Sequence, residues 1–424
     1  MRADVGQAFQ PAFCALKTGR LESLPYTNMT TPQLILKHNK FGTFAGRHPW
    51  VMAKSVVKPQ AEIGDGDVVD LATAEGRWVG RGIYNQRSHL CVRLYSWTRG
   101  EELNDDFWRS RLAAAVQLRQ IIGYDDPAGA TRLIFSEADG LSGLIVDRYG
   151  RYLVVQVAAL AMQRRLDVIV PLLAELAQPL GILVRTDEKI AAQEGMERRD
   201  GVAWGEAPPE SLDVYENGLL FRVDLASGQK TGYYLDQREN HRVAALYMKD
   251  RRVLDVCCYV GGFSLAAAKL GGAREVLGID SSEKAVLQAR DNAGANGLGN
   301  VTFEVGECFR TLEHLVATGE KFGGVILDPP RFAASRDAVD QALRAYHRLN
   351  RLAVQLLEPG GILVTCSCSG RVSREQFLKM LNGVSQKTGR DLQILEQRGP
   401  APDHPVRISC PETDYLKCFV CRAM

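Results

Sequence analysis

A chain of 424 residues is longer than one hydrophobic core supports, since cores stop growing at roughly 250 to 300 residues, and it implies two or three domains. Apolar residues at 46% and charged residues at 24% are those of an ordinary globular protein and imply neither a disordered nor a membrane protein. The net charge of +2 hides an asymmetry, because residues 31–100 carry ten Lys and Arg against five acids. A polyanionic partner would meet that segment first, although an ordinary solvated surface accounts for the same charges.

The opening stretch, "MRADVGQAFQPAFCALKTGR", lacks the unbroken apolar core of a signal peptide, and most of its basic residues lie on the wrong side of its apolar ones. No export is expected, so the location is cytoplasmic, and residues 1–30 form an N-terminal extension. From 31 to 103 the short runs "LILK", "WVMAKSVV", "DVVDLAT", "WVGRGIYN" and "LCVRLYSW" alternate with turn signals such as "GDGD" and "AEGR". This spacing predicts a small all-β barrel or sandwich. A charged helix is predicted from Asp105 to Ile122, ended by "GYDDPAGA". Three strands follow in "RLIFSEADGLSGLIVDRYGRYLVVQVA", turning at Asp139-Gly140 and Tyr149-Gly150, then a helix over 162–177 and the strand "GILVRT". Together these make a central α+β domain over 104–205. The apolar run from Val168 to Val184 is interrupted by Pro171, Glu175, Gln178 and Pro179 and is short of the about 20 residues a membrane span needs. It reads as a helix followed by a buried strand, with no membrane involved.

Residues 206–424 begin with a hairpin, "LDVYENGLLFRVDL", turning at Asn217-Gly218. From Arg251 strand and helix alternate: "RVLDVCC", "EVLGID", "VTFEV", "GGVILD" and "GILVTCS" are near-continuous apolar strands, each followed by a helical stretch. They predict an α/β, doubly wound, Rossmann-like sheet of parallel strands, with ligands at the carboxyl ends. The ten cysteines are scattered without a framework, which points to reduced thiols. The lone C-x-x-C, Cys418 to Cys421, has no second ligand pair and lies in a strand-like run, so no metal site is expected.

At the first strand end, "LDVCCYVGGFSLAAAK" offers Asp255, then Gly261 and Gly262, which allow close backbone approach to a ligand where a helix opens. Asp280, followed by Ser281, ends the second strand about twenty residues after the glycines, where a carboxylate can accept from ribose hydroxyls. Tyr259 replaces the first glycine of a dinucleotide fingerprint, so a nucleoside without phosphates suits the loop better. S-adenosyl-L-methionine is such a ligand, with its ribose at Asp280, its amino group towards Asp255 and its adenine near Glu307 and Cys308 in "VGECF".

The fourth strand ends in "LDPPR", where Asp328 is held at the rim and Pro329 and Pro330 withdraw two amide donors. That leaves carbonyls and a carboxylate facing a planar base, but Arg331 stands where an aromatic stacking partner would be useful. The fifth strand ends in "VTCSCSG", which puts Cys366 and Cys368 two positions apart. Free cysteines are among the most buried residues, so either thiol could simply fill core.

Over about residues 31–424 the chain resembles the bacterial large-subunit (23S) ribosomal RNA 5-methylcytosine methyltransferases that carry an N-terminal PUA domain. The resemblance is carried by "RHPWV", "GQKTGYYLDQREN" from Gly228 to Asn240, "YVGGFS", "LDPPRF" and "SCSG". It implies a PUA-like RNA-binding domain over 31–103 and a methyltransferase domain after the hairpin, with ribosomal RNA as the partner. It also implies that Cys368 is the nucleophile that adds to C6 of cytosine, that Cys366 packs, and that Asp328 holds the edge of the base around N3 and N4. Lys230, Gln237 and Arg238 match family positions near the cofactor and the RNA backbone, and His404 in "PDHPV" also matches, although a turn histidine before proline explains it equally well. Cys257, Cys258 and Glu307 depart from the family pattern. Two other functions remain open from the residues: an RNA guanine or adenine N-methyltransferase that needs no thiol, and a non-catalytic RNA-binding assembly factor without cofactor affinity.

Overall fold

The computed structural model describes residues 31–59, 62–225, 233–333 and 337–424. The predicted N-terminal extension and Lys230 therefore lie outside the described residues. The first sheet holds β1 (Gln33–Ile35), β2 (Trp50–Val51), β3 (Val68–Ala72), β4 (Trp78–Tyr84) and β5 (Val92–Ser96) in the order β1-β3-β4-β5-β2. All five predicted runs carry a strand, but "WVMAKSVV" gives only two strand residues before a 3-10 turn over Ala53–Ser55. Leu34, Val51, Val69 and Leu94 close its core.

The second sheet runs β10-β9-β8-β7-β6, from β6 (Ala130–Phe135), β7 (Leu144–Tyr149), β8 (Tyr152–Val157), β9 (Gly181–Thr186) and β10 (Gly201–Gly205). The helix Asp105–Ile121 packs on it through Trp108 and Leu112, and starts where the Asn104 side chain accepts from the Phe107 amide. The helix expected over 162–177 is two pieces, Leu160–Gln163 and Leu166–Ala177. β10 has no counterpart among the predicted elements, because its five residues are all exposed and lack the alternation that marks a half-buried strand.

The hairpin β11 (Leu212–Glu216) and β12 (Leu219–Val223) turns at Asn217 and Gly218, both at positive φ (52° and 76°), as a two-residue turn of this hand requires. Its inner residues Val214 and Phe221 share one core with Tyr149 of the second sheet and with the helices of the third. The third sheet comprises β13 (Arg252–Val256), β14 (Glu275–Asp280), β15 (Val301–Val305), β16 (Phe322–Leu327), β17 (Leu357–Ser367), β18 (Leu392–Arg398) and β19 (Lys417–Ala423), in the order β15-β14-β13-β16-β17-β19-β18. The first five are parallel, as predicted, and β19 inserts antiparallel between β17 and the edge strand β18. Apolar side chains on both faces explain the unbroken strands: Val253, Ile326 and Val364 pack to one side, Leu254, Val325 and Leu363 to the other.

This topology positions the site. All five parallel strands end at one rim, and the strand order reverses between β13 and β16, so a crevice opens there. The residues that follow those two strand ends are Cys257 and Asp328, with Cys368 one strand further on.

Candidate active site

Asp255, in β13, is fully buried. Ser264 Oγ donates to its Oδ2 at 2.6 Å, while Oδ1 has no partner among the described residues. Burial pushes this carboxyl up to about 6, although the Ser264 hydroxyl and His241 pull the other way. An orphaned buried carboxylate oxygen is costly, and a ligand ammonium would satisfy it. At the next strand end Asp280 accepts from the Tyr259 amide at 2.9 Å and from the Ser282 amide at 2.9 Å. A carboxylate has about four acceptor positions, so it retains capacity for two ribose hydroxyls. Ser281 between them is exposed.

Gly261 caps the following helix, Gly262–Lys269, at φ 91°, and a Cβ there would lie 2.6 Å from Leu265. A Cβ on Gly262 would lie 2.5 Å from the His241 ring, so helix packing by itself already requires a glycine here. His241 in turn pairs with Glu216 of the hairpin at 2.6 Å. Glu307 is exposed and caps the helix Cys308–Ala317 by accepting from the Arg310 amide at 2.8 Å. Beside it the half-buried Cys308 thiol contacts that of Cys257, and this hydrogen bond, with burial, drives Cys257 upward. The donor set and the orphaned oxygen fit S-adenosylmethionine.

Asp328 is half-buried and accepts from Gln237 Nε2 at 2.9 Å. Desolvation, with Asp236 next, pushes its carboxyl up to about 7. Gln237 is itself fixed by Asn240 at 2.6 Å, so it serves the carboxyl of the DPP rim. Cys368 follows the end of β17, and its Sγ lies 3.9 Å from the Pro329 carbonyl. The turn is latched by the two flanking serines. Ser367 Oγ donates to the Tyr346 hydroxyl at 2.9 Å, and Ser369 Oγ lies 3.0 Å from the same hydroxyl. Cys366, two residues earlier, is fully buried and faces Cys418 across the ladder.

Pro329 is buried and Pro330 exposed, and Arg331 folds back to donate to the Ala333 carbonyl at 2.7 Å. Tyr234, 38% exposed, meets Tyr259 edge-on at 5.1 Å, and its phenol lies in electrostatic reach of Tyr259, Cys368 and Asp328.

Two matched positions lie away from this rim. Arg238 turns onto the central sheet, donating to the Ala130 carbonyl and covering the Tyr124 ring at 4.8 Å. His404 is buried against Phe135 (centroids 5.1 Å apart) and bonds Asp403 at 2.8 Å, while Asp403 accepts from Thr131 and the Arg132 amide. Cys418 and Cys421 are three apart in β19, on opposite faces and in separate cores. His48, Cys410 and Glu412 also cluster, but His48 Nδ1 accepts from the Trp50 amide at 3.2 Å, leaving its Nε2 proton to bond Glu412 at 3.1 Å. No imidazole lone pair remains for an ion.

A nucleoside-ready strand-end crevice behind an N-terminal β-domain defines an S-adenosylmethionine-dependent methyltransferase with a PUA-like domain, and family models of both descriptions match, over residues 187–406 and 34–97. SMU.776, solved in complex with SAH, shares the fold at TM-score 0.81 and 21% identity, covering 92% of this chain and 100% of that one. The chain is 37% identical over 396 residues to the ribosomal RNA large subunit methyltransferase I of Erwinia tasmaniensis, covering 93% of this chain and all of the relative. It is 40% identical over 380 residues to that of Aeromonas hydrophila, covering 89% and 96%. It belongs to the ribosomal RNA large subunit methyltransferase I family.

Two outcomes are expected for the cofactor. Asp280→Ala weakens S-adenosylhomocysteine binding about 10- to 100-fold, the worth of one or two charge-assisted hydrogen bonds, read by isothermal titration calorimetry. With Asp255 read as the partner of the ligand's ammonium, affinity for the same ligand is expected to fall as pH drops through about 6, the value to which burial pushes that carboxyl. An affinity flat from pH 8 to 5 would remove Asp255 from the ammonium site.

Proposed function

We propose that this protein methylates C5 of a cytosine in large-subunit (23S) ribosomal RNA, through a covalent bond between Cys368 and C6 of the ring. The observation that carries this reading is the 3.9 Å approach of Cys368 Sγ to the Pro329 carbonyl, which puts a half-buried thiol on the same rim as Asp328. An N-methyltransferase would have no use for a thiol there.

Bound S-adenosylmethionine supplies an electrophilic methyl group, which cytosine C5 alone attacks poorly. Cys368 remedies this: its thiolate bonds to C6, the electrons of the C5–C6 double bond move to C5, and that carbon becomes enamine-like. Asp328, neutral for part of the time near pH 7, hydrogen-bonds the N3 and N4 edge and offsets the charge that develops in the ring. Once C5 carries the methyl group, the C5 proton passes to water or a base and the electrons of the broken C5–H bond re-form the C5–C6 double bond as the Cys368 thiolate leaves C6, restoring the aromatic ring. Tyr234 offers an aromatic face for a base that has left its stack. Asp255 and Asp280 hold the cofactor, with Glu307 and Cys308 at its adenine end.

The name of the relatives supports ribosomal RNA as substrate. So do Lys37, Lys40, Arg47, Lys54 and Lys58, five exposed cations of the PUA-like region that neutralise phosphates without reading sequence. On this reading 31–103 is the RNA-binding domain, 104–205 the central domain and 206–424 the catalytic domain. Among the described residues no helix is long and apolar enough to cross a membrane, and the nine described cysteines are all thiols, which suits the cytoplasm. The test is nuclease digestion and mass spectrometry of ribosomal RNA incubated with the protein and S-adenosylmethionine. 5-Methylcytidine is expected, and a product carrying its methyl on an exocyclic or ring nitrogen would overturn the reading.

A further inference from the structure

Behind the Cys368 turn lies a cation that no motif marks. Lys417 opens β19 and pairs in register with Ser367, the residue before Cys368. It is 2% exposed. Its ammonium donates to the Ser369 carbonyl at 2.8 Å and to the Tyr415 carbonyl at 2.8 Å. Among the described residues no carboxylate approaches it within ion-pair distance, the nearby Asp414 being opposite Arg374 at 3.9 Å.

A buried ammonium without a carboxylate partner is expensive, because carbonyl dipoles return only part of its lost hydration. Burial accordingly pushes Lys417 down to about 8, with Asp414 and Cys368 acting to retain the charge and Arg374 to lower it. A methionine or leucine would avoid the buried charge but would leave the Ser369 and Tyr415 carbonyls without this donor. The Ser369 carbonyl that Lys417 binds belongs to the residue after Cys368, so the charge sits beside that thiol.

We propose that Lys417 is a positioning residue for Cys368: its buried ammonium ties the cysteine turn to the 399–416 loop and stabilises the thiolate relative to the thiol. The proposal rests on the reading of Cys368 as nucleophile. Other groups face the thiol. Tyr234, Tyr346 and Tyr415 are within electrostatic reach as neutral phenols at pH 7, their own ionisation disfavoured by desolvation first and by the cysteine's charge among later causes. Asp328 on the neighbouring strand end acts against the thiolate whenever it is ionised. Among the described residues Lys417 supplies an opposing positive charge, and in a low-dielectric setting such a charge lowers a thiol's pKa by a unit or more.

The experiment follows alkylation of Cys368 by iodoacetamide as a function of pH in the full-length protein, quantified by mass spectrometry of the peptide containing it. Lys417→Met is expected to raise the titration midpoint by at least about one unit and to slow alkylation at pH 7 about tenfold, while Lys417→Arg restores most of the wild-type profile. An unchanged midpoint in a folded Lys417→Met protein overturns the proposal and leaves Lys417 a structural tie. If Lys417→Met does not fold, Lys417→Gln keeps a hydrogen-bond donor without the charge, and the same rise in midpoint is expected. Because the readout is the thiol's own titration, it stands apart from the nucleophile reading, which the trapping of an RNA adduct at a different residue would defeat.

Discussion

Cys368→Ala is expected to lower methyl transfer to ribosomal RNA about 10⁴-fold, equivalent to about 5.5 kcal/mol of barrier, while binding of S-adenosylhomocysteine stays within a factor of two. The reason is chemical. Cytosine C5 becomes a competent nucleophile only after a group has added at C6, and the alanine removes the thiol beside the Pro329 carbonyl that is read as adding there. Cys366→Ala is the matched control, since the Cys366 thiol is fully buried and paired across the ladder with Cys418. It should cost stability, through the cavity that the missing sulfur leaves in the core, but keep the rate per folded molecule within a few-fold. RNA containing 5-fluorocytosine sharpens the test, because fluorine at C5 cannot leave as a proton does. Wild type should accumulate a covalent protein–RNA complex linked through residue 368, and Cys368→Ala should accumulate none. A linkage through any other side chain would defeat the mechanism.

Much of this site can be read from local sequence, and the reason differs by residue. Asp255 is the last residue but one of an apolar strand, and Asp280, Asp328 and Cys368 each end or follow one, so a run of buried residues and its stop signal locate them. The helix Asp105–Ile121 and the Asn217-Gly218 turn are legible on the same terms, through an N-cap and a left-handed dipeptide. What is not legible depends on pairing between distant segments. Gln237 reaches Asp328 across 91 positions, and Lys417 reaches Ser369 across 48. Neither bond leaves a local pattern, and the insertion of β19 between β17 and β18 that brings Lys417 there has none either. Tyr234 shows the same limit: Arg331 follows the prolines in sequence, whereas the fold brings an aromatic within electrostatic reach of Asp328 and Cys368 from the segment before Gln237. On motif grounds Gly262 belongs to ligand approach, but its missing Cβ makes room for His241, a neighbour that only the packing of two helices reveals.

Asp328→Asn is the second large effect expected, a loss of about 10²- to 10⁴-fold in turnover, the usual weight of a positioned acid or base, with little change in cofactor affinity. Its particular signature is in the pH profile. Desolvation, with the charge of Asp236 second, pushes the carboxyl up to about 7, so below pH 7 it is mainly neutral and can donate to the base. Above pH 7 it ionises, loses the proton it donates and opposes the Cys368 thiolate. Wild-type kcat/KM on RNA should therefore fall with rising pH on a limb centred near 7, superimposed on the opposite limb from thiol ionisation, and Asp328→Asn should lose the falling limb. Stability supplies an independent check with a definite sign. A carboxyl whose folded pKa is raised favours the fold below its unfolded value near 4 and withdraws that stability as pH climbs to 7. The amide carries no such penalty, so the thermal midpoint of Asp328→Asn relative to wild type should be higher at pH 8 than at pH 5. A variant that is inactive, binds S-adenosylhomocysteine normally and gains relative stability on going alkaline would identify Asp328 as a strained functional carboxyl, whereas relative destabilisation at pH 8 would show that its charge serves to hold the rim together.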